Sequence, residues 1–180
     1  MSALVDKILA IDAGFDAAGV HHAFGGALAL AWCTERARGT IDIDCNVFAP
    51  PSQVLWVFDA LPDGVSRDDA SVTAVVRDGQ VRLWWDTTPV DLFLDTTAFH
   101  ADAAGRIRRK PLAGRDVPFL SCTDLAVFKV FYNRTRDWAD LEDMAALHSL
   151  DVDRVVSTLT RYLAADDHRV SRLRALTSSP

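Results

Sequence analysis

An excess of positive charge is missing from this sequence: 25 Asp and Glu outnumber 19 Lys and Arg, leaving a net charge of −6. A chain that coats nucleic acid without regard to its sequence needs the opposite balance, so that function class is excluded, while a local basic patch is not. Cysteine is scarce as well. Cys33, Cys45 and Cys122 are scattered, odd in number and without a Cys-x-x-Cys pair. They suggest neither a zinc site nor a disulfide framework, and point to reduced, buried thiols in a cytoplasmic protein. No apolar run is long enough to span a bilayer, and the first residues lack the basic-then-apolar pattern of a secretion signal, so no membrane partner is expected. Internal repeats and low-complexity tracts are also lacking. What the chain does have is apolar residues, 49% of its 180, enough for one domain, with or without a helical extension.

Periodicity places the elements. Leu4, Val5, Ile8, Leu9, Ile11 and Phe15 predict a helix over 4–18. Val20 to Phe24 reads as a short strand feeding Gly25-Gly26, followed by a helix over 27–35 and a strand over 40–48. Pro50-Pro51 stops that strand, and 52–61 reads as a helix. Extended segments are expected at 71–76, 80–85 and 89–94, with Asp78-Gly79 as a hairpin turn between the first two. One or two more short strands belong in 99–120, with 117–122 foremost. From Thr123 the spacing of Leu125, Phe128, Val130, Phe131, Leu141, Met144 and Leu147 turns helical, and a last helix over 152–176 breaks near 164–167. Strands dominate the first two-thirds and helices the last third, an α+β fold. Residues 1–120 are expected to form an α/β core and 121–180 a helical region packed on it in one compact body.

The most informative segment runs from Gly25-Gly26-Ala27-Leu28 to Thr40-Ile41-Asp42-Ile43-Asp44. On a strand, residues i and i+2 share a face, so Asp42 and Asp44 project together and repel. A divalent cation removes that conflict, and a carboxylate-rich site suits Mg²⁺ completed by substrate phosphates. The glycine pair lets the backbone come close to something bulky, and the helix that follows turns its first amides toward an anion. The competing reading is a solvated edge strand whose acids discourage aggregation.

Gly25-Gly26-x-Ala-Leu followed by Arg38-Gly39-Thr40-x-Asp42-x-Asp44, with a later helix Lys129-Val130-Phe131-Tyr132-Asn133-Arg134-Thr135-Arg136-Asp137-Trp138-Ala139-Asp140, resembles the nucleotidyltransferase (DNA polymerase β-like) superfamily. The resemblance covers about residues 20–147 and is closest to the AbiEii-type enzymes of toxin–antitoxin pairs. It implies a mixed sheet flanked by helices and transfer of a nucleoside monophosphate from an NTP to RNA, tRNA or protein, with a cognate antitoxin as a possible partner. It implies Mg²⁺ or Mn²⁺ on Asp42, Asp44 and a third carboxylate, with two ions roughly 3.5–4 Å apart. Asp91, alone among apolar residues in 89–94, is preferred for that third position over Asp86 and Asp95. Gly25, Gly26 and Thr40 become nucleotide-binding positions, and Lys129 becomes a triphosphate contact oriented by Arg136, Asp137 and Asp140. Gly26 stands where many members have a serine that touches phosphate, and Cys45-Asn46 stand where apolar residues are common. The same fold also serves small-molecule, aminoglycoside-type transferases and catalytically weak nucleotide-binding relatives.

Other residues carry plainer readings. Lys129, Arg134 and Arg136 on one long helix are, by spacing alone, a solvated face in which Arg136 can pair with Asp140. Of His21 and His22, one must point away from the core, and a hydrogen-bonded structural histidine is the simpler reading of the other. Trp32 and Trp56 read as core, and of Trp84-Trp85 one faces in and one out. The densest basic run, Arg106 to Lys110, reads as a solvated loop or hairpin, or else as the contact for a polynucleotide acceptor.

Overall fold

The computed structural model describes residues 3–36, 39–164 and 166–176. Arg38, on the approach to Asp42, lies outside the described residues. The chain forms two compact units, Met1–Leu28 with Arg38–Leu120, and Ala29–Ala37 with Ser121–Pro180. The second unit thus takes in 29–37 as well as the segment after Leu120.

The first unit is built on a mixed sheet of six strands in the order β3-β4-β2-β1-β6-β5. These are β1 (His22–Phe24), β2 (Ile43–Val47), β3 (Gln80–Trp85), β4 (Thr88–Leu94), β5 (Arg108–Leu112) and β6 (Arg115–Phe119). β1 runs antiparallel to β2 and parallel to β6, while β2 and β4 are parallel. All three residues of β1 are buried, as befits a central strand covered on both faces. Helix α1 (Ala3–Ala18) buries Ile8, Ile11, Asp12 and Phe15, one face at helical spacing, and Gly19 ends it at φ +72°. Two antiparallel hairpins complete the sheet. β5 and β6 turn through Ala113 (φ 49°) and Gly114 (φ 83°), the left-handed pair that suits a two-residue hairpin.

Helices α3 (Val54–Asp59), α4 (Asp69–Asp78) and α5 (Ala98–Ala103) fill the rest of the first unit. α4 corrects the extended segment expected at 71–76. The Asp68 side chain caps its first turn by accepting from Ser71 N, and Gly79, at φ 69°, closes its end. A cap at each end outweighs the β-branched content. Asp78-Gly79 is therefore a helix terminus, and the hairpin lies one element later, at Asp86 (φ 53°) between β3 and β4. α5 is also unexpected; Thr97 caps it by accepting from His100 N.

The second unit is helical: the later part of α2 (Gly26–Thr34), α6 (Cys122–Tyr132), α7 (Thr135–Ala146), α8 (Val152–Leu159) and α9 (His168–Ala175). Leu125, Val130, Trp138, Leu141, Met144, Val155, Leu159, Val170 and Leu173 are buried there, each worth about 1.5–3 kcal/mol removed from water. The long helix expected through Arg134 and Arg136 is two helices. Asn133 ends α6 in the left-handed region (φ 55°), and Arg134 starts α7 through a capping box with Asp137. Cys33 and Cys122 form a disulfide, which overturns the reading of reduced thiols; Cys45 alone is free. Sequence spacing gives no hint of it, because the partners are 89 residues apart. Trp32 and Trp56 are 36% and 40% exposed rather than core. α3 buries Val54, Val57 and Phe58, and this face leaves Trp56 outside it. Trp138, rather than Trp32 or Trp56, is the fully buried tryptophan.

Candidate active site

Asp44 sits on β2 in register with Asp91 of β4, and Asp91 in turn faces Arg82 of β3. Register partners share a face of the sheet, so Arg82, Asp91 and Asp44 form a row across three strands. Asp42, just before β2, joins it: Arg82 Nη2 lies 3.5 Å from Asp42 Oδ2. Arg82 grips Asp91 with both arms, Nε to Oδ1 at 2.7 Å and Nη2 to Oδ2 at 2.6 Å. That fork geometry is the strong form of the ion pair. The Arg82 guanidinium is held above its ordinary pKa, first by the hydrogen bond to Asp91 and then by the negative fields of Asp91, Asp42 and Asp44 working against burial. Three acids against one base leave the row negative.

Local structure fixes each acid. Thr40 Oγ1 donates to Asp42 O and accepts from Asp42 N, both at 3.2 Å, which sets the backbone at Asp42. Gly25 N donates to Asp44 O at 2.8 Å. Gly26 has φ +52°, and a Cβ there would overlap the Asp44 carboxylate at Oδ2. The bulky object that the glycine turn admits is thus Asp44 itself, its carboxylate against the N-terminus of α2, where negative charge is stabilised. A Cβ at Gly25 would come within 2.8 Å of the buried Asn46 Nδ2.

The rival acids have other work. Asp95 N donates to Ala49 O at 3.0 Å and its Oδ1 accepts from Thr97 N at 3.2 Å. Asp86 lies in the β3–β4 turn, paired with Lys7 at 3.1 Å. Cys45 points to the buried side. Burial first, then the fields of Asp12 and Asp44, push its thiol far up, so it is no nucleophile. Sequence reasoning misses Arg82 altogether. The signal is there: a charge in the strand before Asp91 that meets it if the two strands pair.

A second charged group lies in the same unit. Asp12, Asp16 and His22 bring one ligand atom each within 4.8 Å. His22 is buried, with Nδ1 3.0 Å from Val20 O and Nε2 3.2 Å from Asp12 Oδ1, while His21 is exposed. Arg115 approaches Asp12 at 3.7 Å and Arg109 approaches Asp16 at 3.9 Å. A guanidinium thus stands beside each of the two acids, and His22 has a hydrogen-bonding partner at each ring nitrogen. The basic run at 106–110 ends in β5, an exposed edge strand, with Arg109 Nη1 donating to Asp116 O at 3.1 Å.

In the helical unit the Lys/Arg/Asp pattern resolves into buried pairs. Lys129 Nζ lies 2.6 Å from Asp140 Oδ2 and 3.8 Å from Asp137 Oδ1, all three side chains buried. Asp137 also accepts from Arg134 N and Nε. The expected Arg136–Asp140 pair is replaced by Lys129–Asp140, and Arg136 is exposed. Trp138 Nε1 donates to Asn133 Oδ1 at 2.7 Å, and Arg172 stacks 4.1 Å from the Trp138 ring.

Among the described residues, no helix is long and apolar enough to cross a membrane. No curated protein sequence matches the chain. Solved structures do. The antibiotic-resistance factor ANT(2'')-Ia in solution is 19% identical with a TM-score of 0.64, covering 91% of this chain and 95% of that one. ANT(2'')-Ia in complex with adenylyl-2''-tobramycin is 16% identical with a TM-score of 0.57, covering 98% of both chains. An antigenic nucleotidyltransferase-like protein from Paracoccidioides brasiliensis is 11% identical with a TM-score of 0.50, covering 96% of this chain and 92% of that one. At such identities the likeness is one of fold, and it agrees with the α+β architecture and mixed sheet. Residues 23–177 match the model of the family described as nucleotidyltransferase of unknown function (DUF6036), and the chain, an enzyme that transfers nucleotidyl groups, belongs to that family.

Proposed function

We propose that the enzyme uses Mg²⁺ or Mn²⁺ to transfer a nucleoside monophosphate from an NTP to RNA, and that it is the toxin of a toxin–antitoxin pair of the AbiEii kind. One observation carries the site: Asp44 and Asp91 stand opposite each other in register, with Asp42 drawn to the same guanidinium. The donor set fits a hard divalent cation, being all carboxylate oxygen, and Gly26 leaves the space that the Asp44 carboxylate needs. Asp42, Asp44 and Asp91 would hold the ion. Bound there, it supplies charge neutralisation at the phosphoryl oxygens and lowers the pKa of an attacking hydroxyl. Thr40 keeps Asp42 in place, and Gly25 and Gly26 bring the first amides of α2 within reach of the phosphates. Within the helical unit, Lys129 and Asp140 brace α6 on α7, and Arg136 stands exposed on α7.

RNA is favoured over protein as acceptor because Arg108, Arg109 and Lys110 are exposed together on β5 in an otherwise acidic chain. The toxin assignment rests on the Gly-Gly-x-Ala-Leu opening and the approach to Asp42-x-Asp44. A small-molecule acceptor is the second reading, favoured by the near-complete mutual coverage with ANT(2'')-Ia. The test is to incubate the purified protein with each labelled NTP, Mg²⁺, and in turn total RNA, total protein and an aminoglycoside mixture, with Asp44→Asn as control. Label in RNA that disappears in Asp44→Asn is expected. Label in protein or in the small molecule moves the acceptor, and label nowhere sinks the reading.

A further inference from the structure

The row of acids described above contains a cation of its own. Both oxygens of Asp91 are engaged by Arg82, whose remaining reach extends to Asp42. Any metal ion that uses Asp91 and Asp42 competes with that guanidinium for the same two carboxylates, and the two positive charges repel at such separations. The Arg82 side chain is 49% exposed, against 15% for Asp91 and 27% for Asp42. It can therefore swing into solvent without leaving a hole, while the acids stay anchored in the sheet.

We propose that Arg82 is a positioning residue and built-in counter-charge: it holds Asp91 and Asp42 in place before catalysis, weakens the binding of a bare divalent ion, and yields when the ion arrives with the triphosphate. The negative phosphates give the displaced guanidinium a second partner, since Arg forks onto phosphate as readily as onto carboxylate. Metal and nucleotide then bind as a coupled pair. The inference rests on the reading that Asp42, Asp44 and Asp91 hold the ion.

The experiment measures Mn²⁺ binding by electron paramagnetic resonance, with and without a non-hydrolysable ATP or GTP analogue. It compares the wild type with Arg82→Gln, Arg82→Lys, Asp44→Asn and the exposed control Arg77→Gln. Arg82→Gln should tighten Mn²⁺ binding without nucleotide by about ten-fold or more, and should shrink the tightening that the analogue brings. Arg82→Lys, which keeps the charge, should stay near the wild type, as should Arg77→Gln. Unchanged or weaker Mn²⁺ binding in Arg82→Gln, with binding abolished in Asp44→Asn, overturns this inference and leaves the metal site standing. Equal tightening in Arg77→Gln also overturns it, because net charge alone would then account for the effect. Mn²⁺ binding that survives in Asp44→Asn, or is absent from every protein with and without the analogue, removes both.

Discussion

Two sets of charged side chains in this molecule look alike on paper and differ in burial. Arg82, Asp91, Asp42 and Asp44 stand on an open sheet face, with Arg82 about half exposed. Lys129, Asp137 and Asp140 are shut inside the helical unit, Lys129 only 7% exposed. A pair open to water gains little stability and is free to exchange partners. A buried pair is locked, because taking one member away leaves the other charged and unsolvated. The open set is suited to binding a ligand and the closed set to holding helices together, although the chain spends the same residue types on both.

Breaking one member of each set should separate them by stability. Lys129→Ala is expected to cost about 3–5 kcal/mol, the scale for one partner removed from a buried pair. Arg82→Ala should cost under about 1 kcal/mol. Urea unfolding of the two variants checks the contrast, and equal losses would erase it. The activity contrast runs the other way. Asp44→Asn should lower nucleotidyl transfer about 10²–10³-fold, the scale for removing one electrostatic stabiliser of the reacting centre. Its melting temperature should change little, since the like-charge repulsion that is relieved offsets the loss of a negative charge at the N-terminus of α2.

How far the sequence reveals each set follows from what holds it. Asp42, Asp44 and Asp91 stand out because an acid at strand spacing among apolar residues calls for a partner. Arg82 does not, because its role depends on which strands pair, and Asp78-Gly79 draws the hairpin to the wrong turn. α4 hides behind β-branched residues, whose preference its two end caps override. Lys129 stands out as a cation within an apolar stretch, but the pattern cannot tell a buried brace from a ligand contact. β1 to β4 and the change to helices near residue 121 follow from periodicity, whereas β5 falls in the basic run, and the disulfide joins residues too far apart in sequence to leave a local mark.

A third contrast concerns the basic strand β5 and the acidic row. Replacing Arg106, Arg108 and Arg109 with Gln should flatten the salt dependence of RNA binding by a slope of about one for each phosphate no longer neutralised. NTP binding should persist, because the acids lie on other strands. A variant that binds RNA with the wild-type salt slope would return the run to a solvated hairpin.

The smallest effect is expected at His100, a buried group outside both sets. Its ring lies edge-on to Phe48, with centroids 5.6 Å apart. Burial holds its pKa below the ordinary 6.5, opposed by the charge of Asp95 and a backbone hydrogen bond with Leu94. The folded protein thus binds this proton less readily than the unfolded chain does. The stability that follows is fully present above pH 6.5 and declines as the pH falls from there toward the lower folded value. The decline cannot exceed about 1.4 kcal/mol per pH unit. Denaturant titrations at pH 7.5 and 5.5 should show it, and His100→Gln should flatten it. A wild type equally stable at both values would count against the assignment.

The disulfide draws a covalent ring through the chain from Cys33 to Cys122, and β2 to β6 all lie within that ring. β1 lies outside it, yet it is the strand seated between β2 and β6. Remove it, and the ring's strands fall into two separate ladders, β3-β4-β2 and β6-β5. Three residues, His22, Ala23 and Phe24, therefore act as a rivet between the ladder that bears the acids and the ladder that bears the basic run. Phe24 alone meets both neighbours, opposite Cys45 on one side and Phe119 on the other.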